Sequence, residues 1–233
     1  LGPVQSDGSR SVEGILEDVT AERNADRLLD DLLLRLESAE GLAEIAEARG
    51  RLPELVKNLL NSGAGMRTIS RRITLVSDLV IGRLLRLAVA ELGNPPAAFA
   101  FLVLGSDGRE EQTLGSDQDS AIVYADGAPG DPEAVHAWFH SLGARVCGWL
   151  EEMGVHPCVG RMMASNPRWC APLSEWEGMF GGWISEPEPR ELLDFQVFFD
   201  FRAVYGDRQL AAGLRRFITD KLAGEPPFFL HLA

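Results

Sequence analysis

Long apolar runs are missing from this 233-residue chain: none reaches the about 18 residues that a membrane-spanning helix requires, and the N-terminus has no basic-then-apolar leader pattern. No membrane partner and no export are expected, and a cytoplasmic location is. Positive charge is scarce as well. Lys and Arg number 22 against 35 Asp and Glu, a net charge of −13, so a basic face for nucleic-acid backbones is not expected. An acidic protein can still take nucleotides through metal ions. Cysteine is sparse and odd in number: Cys147, Cys158 and Cys170 have no CxxC spacing and read as reduced, buried thiols rather than disulfides or a zinc site. The GK[ST] ending of the Walker phosphate loop is absent, as is the GxGxxG dinucleotide fingerprint. What is present is ordinary globular stock, 45% hydrophobic, enough for one large domain or two modest ones. The chain opens on Leu1 rather than Met, as expected of a piece of a longer protein.

The first 96 residues are mostly helical in pattern. VEGILEDVT (12–20) reads as a short strand, after which Leu28, Leu29, Leu32, Leu33 and Leu36 form the apolar stripe of a helix from Ala21. Further helices are predicted over 42–49, 53–61 and 66–92, interrupted by Gly50, by Pro53 at a helix start and by SGAG at 62–65. GNPP at 93–96 ends the last of them. Strand-length apolar runs follow at 98–105 and 120–126, and Asp131 is placed to cap a helix running to about Met153. Val155–Met163 is expected to be a third strand, and 172–184, 189–204 and 207–222 to be helices. The fold class is therefore α+β, a small mixed sheet flanked by N-terminal and C-terminal helices.

Between the two apolar runs lies LGSDGREEQTLGSDQDS (104–120), in which LGSD occurs twice. A buried strand ending in Gly105-Ser106 leaves backbone N–H groups accessible to a polyphosphate. Asp117 and Asp119 are one residue apart at the head of the next strand, so their side chains share a face about 7 Å apart at the backbone, the arrangement for hard cations. An EF-hand is excluded, because Ala121 and Ile122 stand where a third oxygen ligand and glycine are required. Two other patterns carry less. His136 and His140 have metal-capable spacing but no third ligand, and Trp176, Met179, Phe180 and Trp183 have the spacing of a helix core. Ser165-Asn166-Pro167 with Arg168 and Trp169 is either a base- or ribose-contacting loop or a plain turn.

FLVLGSDGREEQTLGSDQDSAIVY (101–124), with MASNPRW (163–169) and FFDFRAVYGD (198–207), resembles the polymerase-beta-type nucleotidyltransferases. Within them it is most similar to protein-PII uridylyltransferase-like signalling enzymes found beside CBS or cyclic-nucleotide-binding domains. The resemblance implies transfer of a nucleoside monophosphate from a nucleoside triphosphate to a hydroxyl, that of a protein acceptor, in a Mg²⁺-dependent signalling module; the alternative is a catalytically inactive module binding nucleotide or a regulatory partner. On it, Gly105, Ser106 and Gly108 with Arg109 and Glu111 bind the nucleotide, Arg109 neutralising phosphate charge and Glu111 orienting that arginine or the loop. Asp117 and Asp119 hold Mg²⁺, two ions being expected. Active relatives carry a third carboxylate on a later strand; 155–163 has no acid, so Asp200, expected on a helix, is the candidate third catalytic carboxylate. SDGSRSVEGILEDVTAERNADRLL (6–29) resembles the end of a PAS sensor, which would make 21–36 a signalling helix able to pair in a homodimer. The expected division is a PAS-type tail at 1–20, a helical connector and region at 21–96, the nucleotidyltransferase core at 97–170 and C-terminal helices at 171–233.

Overall fold

A computed structural model of the chain describes residues 20–185 and 197–224. The predicted strand at 12–20 lies outside them but for its last residue, as do 189–196 of the predicted helix at 189–204. Four helices come first: α1 (Thr20–Ser38), α2 (Leu42–Gly50), α3 (Leu52–Asn61) and α4 (Met66–Leu92). The stripe of α1 is spent inside the molecule, since Ala25, Leu28, Leu29, Leu32 and Leu36 are all buried and the helix packs on α3 and α4. Each leucine so buried contributes about 1.5–3 kcal/mol relative to exposure. At the end of α4, Gly93 turns to φ 86° with its N–H on the Val89 carbonyl, 2.9 Å away, and the two prolines follow.

The sheet has four strands, β1 (Phe99–Leu104), β2 (Ser120–Tyr124), β3 (Cys170–Pro172) and β4 (Phe201–Gly206), in the order β3-β2-β1-β4. β1 runs antiparallel to both β2 and β4, while β2 and β3 are parallel. Its two faces explain the unbroken apolar runs. Phe99, Phe101 and Val103 join the core shared with α1 to α4 and with α6 (Pro132–Glu152), whereas Ala100, Leu102 and Leu104 join a second core. That second core is aromatic: α7 (Leu173–Ser185) supplies Trp176, Phe180 and Trp183, the rings of Trp169 and Phe198 meet at a tilt with centroids 4.4 Å apart, and α8 (Arg208–Gly224) closes the layer. A strand buried on both faces has no polar side to alternate with. Asp131 caps α6 through the Glu133 N–H, at 3.4 Å.

Two expectations fail. Val155–Met163 is not a strand: Gly154 and Arg161 have φ of 82° and 55°, the Arg161 N–H closes a turn on the Cys158 carbonyl, and Pro157, which has no N–H to donate, makes one isolated bridge to Gln118. The strand beside β2 is instead β3. Nor does a helix run through 204, because after a helical Val197–Phe199 the chain turns at Asp200 into β4. The aromatic and β-branched composition of FRAVY suits a strand, and pairing with β1 covers what would otherwise be a bare edge.

Candidate functional site

Between β1 and β2 the chain makes a one-turn helix, α5 (Gly105–Gly108), then a loop back to Asp117. Gly105 has φ 55°, and a Cβ there would lie 2.7 Å from Val197 Cγ2 and 3.4 Å from the Asp119 carboxylate. Glycine is therefore required both by the turn and by what presses on it. Gly108 is required for another reason: a Cβ would collide with the Asp200 carbonyl oxygen, so the turn packs directly on the entry to β4. Beyond the paired residues Val103 and Ser120, the Leu104 N–H donates to the Asp119 carbonyl at 3.0 Å, extending the ladder by one step. That step sets Asp119 against Gly105.

Ligand atoms of Asp117, Asp119 and Cys158 lie within 4.8 Å of one another, and among the described residues this is the one group of at least three such side chains. Burial raises the Asp119 pKa, as does the neighbouring charge of Asp117, while the Cys158 thiol partly offsets this. The Cys158 thiol is itself pushed up to about 11, by burial first and then by Asp119. Uncompensated negative charge at one strand end is what a divalent cation would relieve, and the two carboxylates fit Mg²⁺, which takes oxygen ligands. Gln118, between them, turns inward: its Nε2 donates to the carbonyls of Cys147 (3.2 Å) and Val155 (3.1 Å), and its backbone N–H to that of His156 (2.9 Å). These bonds hold the Cys158 loop beside the aspartates.

Behind the turn, Asp107 is 6% exposed and its Oδ1 has no partner. Burial, chiefly, lifts its carboxyl to about 7, with Gln112 holding it down by a hydrogen bond and Asp119 and Asp78 pushing it further up. A cavity of about 60 Å³ joins Asp107 to Gln112, Asp117, Asp119 and Ser120, room for a few waters or an ion but not for a nucleotide, which would have to sit outside it. Arg202 on β4 grips Asp78 of α4 in a bidentate pair (2.6 and 3.1 Å) and also donates to the Asp107 carbonyl at 3.1 Å. Asp78 nonetheless stays above its ordinary pKa, because burial outweighs the arginine.

Arg109 is exposed, with Nε on Glu111 at 2.8 Å and Nη1 on Asp200 at 2.6 Å. Asp200 thus sits at the bend just before β4 rather than on a helix, its carboxylate turned to Arg109, outside the Asp117–Asp119–Cys158 group. The 165–169 segment is knit into the fold: Asn166 accepts from the Arg168 N–H and donates to the Arg161 carbonyl, and the Trp169 indole donates to that same carbonyl. His140 bonds the Ser165 carbonyl, and no histidine enters a metal-capable group among the described residues. Sequence reasoning passed over Cys158, Asp107, Asp78 and Arg202 as parts of the site. For Cys158 the usable signal was its place in the segment expected to lie beside the two aspartates.

A Gly-Ser turn closed against an Asp-x-Asp pair on the adjoining antiparallel strand end is an arrangement suited to nucleotidyl transfer. The family described as Putative nucleotidyltransferase DUF294 matches residues 50–190, more than half of the chain, and the chain belongs to it. Family membership assigns a general role in nucleotidyl transfer. The matched residues include the whole 105–119 turn and Cys158 and stop short of Asp200. No curated protein matches the chain. No helix among the described residues is long and apolar enough to cross a membrane.

Proposed function

We propose that the chain is a Mg²⁺-dependent nucleotidyltransferase module of a signalling protein, moving a nucleoside monophosphate from a nucleoside triphosphate to a hydroxyl of a protein acceptor, in the manner of the uridylyltransferases. The observation that supports this is the Asp119 carboxylate lying against Gly105, which brings a carboxylate beside the Gly-Ser turn. Backbone N–H groups at Gly105 and Ser106 receive the β and γ phosphates, with Gly108 keeping the turn tight. Arg109, steered by Glu111 and Asp200, meets phosphate charge at the rim. Asp117 and Asp119 hold two Mg²⁺ ions. When bound, Mg²⁺ supplies Lewis-acid stabilisation of the attacking and leaving oxygens. In the transfer the acceptor oxygen bonds to the α-phosphorus, the bond to the β-phosphate oxygen breaks, pyrophosphate leaves, and the hydroxyl proton passes to a base. Asp200 enters as a catalytic residue only by exchanging Arg109 for the reacting groups; otherwise it is a positioning residue for that arginine.

A second reading, a catalytically inactive module that binds nucleotide or a regulatory partner, is favoured by one observation: Asp200 is turned away to Arg109, and the third member of the carboxylate group is a thiol. We further propose a cytoplasmic setting, a PAS-type sensor ahead of α1, and a homodimer through the exposed face of that helix, its apolar stripe being buried within the protomer. The test is incubation with each labelled nucleoside triphosphate, Mg²⁺ and candidate acceptor proteins. Label transfer with pyrophosphate release is expected. Retained nucleotide binding without either product would establish the regulatory reading instead.

A further inference from the structure

The isolated bridge between Gln118 and Pro157 is parallel, so Cys158 follows Pro157 as Asp119 follows Gln118. Register, rather than chance proximity, therefore sets the thiol beside the carboxylates. The segment is pinned on both sides of that bridge, by Gln118 on the Val155 and His156 carbonyls and by the turn from the Arg161 N–H to the Cys158 carbonyl. The thiol sulfur lies within 4.8 Å of the Asp119 carboxylate and is half-buried, unlike the buried Cys147 and Cys170. A separate observation points to a cation at this end of the sheet. The Asp107 carboxyl, more than nine-tenths buried, keeps Oδ1 without a partner on the same cavity as Asp117 and Asp119.

We propose that Cys158 is the third protein ligand of the Asp117–Asp119 cation site, and that it makes one cation position thiophilic, selecting Zn²⁺ or Co²⁺ over Mg²⁺. The inference rests on the reading of Asp117 and Asp119 as metal ligands. Thiolate sulfur favours such ions, whereas Mg²⁺ is held by oxygen alone. Binding balances as the loss of one proton: the Cys158 S–H bond breaks, its electron pair forms the sulfur–metal bond, and the proton leaves to solvent. With Mg²⁺ the thiol keeps its proton and the carboxylates act by themselves.

The experiment is a Co²⁺ titration of the whole protein followed by absorption, then competition by Zn²⁺ and by Mg²⁺. The expected result is a near-ultraviolet sulfur-to-cobalt charge-transfer band at stoichiometric Co²⁺, displaced by Zn²⁺ and resistant to excess Mg²⁺. Cys158→Ser should abolish the band and weaken Co²⁺ binding about 10–100-fold or more, the range already seen when outer-shell partners are removed. Cys158→Asp should bind without the band and shift preference toward Mg²⁺, which also shows that the loop still folds. Co²⁺ binding that needs Asp117 and Asp119 but gives no band, and is unchanged in Cys158→Ser, overturns the thiolate ligand and leaves the carboxylate pair standing. Failure of Co²⁺ to bind the wild type at all overturns both.

Discussion

Two groups of carboxylates flank the same short turn, and they are treated in opposite ways. Behind it, Asp78 is gripped by both Nη atoms of Arg202, which also holds the Asp107 carbonyl, so α4, β4 and the turn are tied by one guanidinium. In front of it, Asp117 and Asp119 stand side by side with a thiol, and no arginine or lysine pairs with either among the described residues. The contrast teaches which acids are scaffold. A pair already neutralised by a fitted arginine has no remaining charge to offer a ligand, whereas adjacent acids without a counter-charge are stable only if something positive visits them or if water stays close.

The sharpest way to break that distinction is to neutralise the front pair. Asp117→Asn with Asp119→Asn should abolish metal-dependent nucleotide binding, read by calorimetry with and without Mg²⁺, while thermal stability holds or rises because like charges have been removed. Unchanged nucleotide affinity would sink the site. Next in size is the rear pair. Arg202→Met should cost about 2–3 kcal/mol in denaturant unfolding, less than the about 3–5 kcal/mol of a fully buried pair because about a quarter of each side chain, 25% and 28%, is exposed. Adding Asp78→Leu should recover most of the loss, since no unpaired carboxyl is then left inside. A double variant as unstable as the single one would mean that the bond to the Asp107 carbonyl, not the ion pair, holds the turn.

This asymmetry was half legible in the sequence. Helices α1 to α4 and α6, and strands β1 and β2, follow from local periodicity and caps, because the burial they answer to repeats within a few residues. Gly105, Ser106, Asp117 and Asp119 are also local, one contiguous loop between two apolar runs. What escaped depends on partners far along the chain. FRAVY has no clean period, and only the open edge of β1 decides that it is β4. Cys158 acquires its neighbours through a single bridge in an otherwise turn-rich loop, and a lone cysteine without CxxC spacing adds nothing to the one signal there was, the place of its segment. Asp107 reads as one more loop aspartate until α4 and β4 bury it.

Asp107 belongs to neither group, and its titration gives the most discriminating effect. Its carboxyl is raised from the ordinary value of 3.8 to about 7, so the folded protein binds a proton there that the unfolded chain releases. The stabilisation is complete below about pH 4 and is lost as pH rises through about 7, with a slope of at most about 1.4 kcal/mol per pH unit from this one group. Asp107→Asn keeps the shape and removes the titration. Its unfolding free energy should therefore lose that downward slope between pH 5 and 7 and exceed the wild type above pH 7. Mg²⁺ should reduce the same slope in the wild type by countering the Asp119 charge that helps to raise Asp107, and should do so less in the Asp117→Asn, Asp119→Asn protein. If Asp107→Asn leaves the pH profile unchanged, the buried carboxyl is not the group that senses the front of the site, and the two acidic regions are independent.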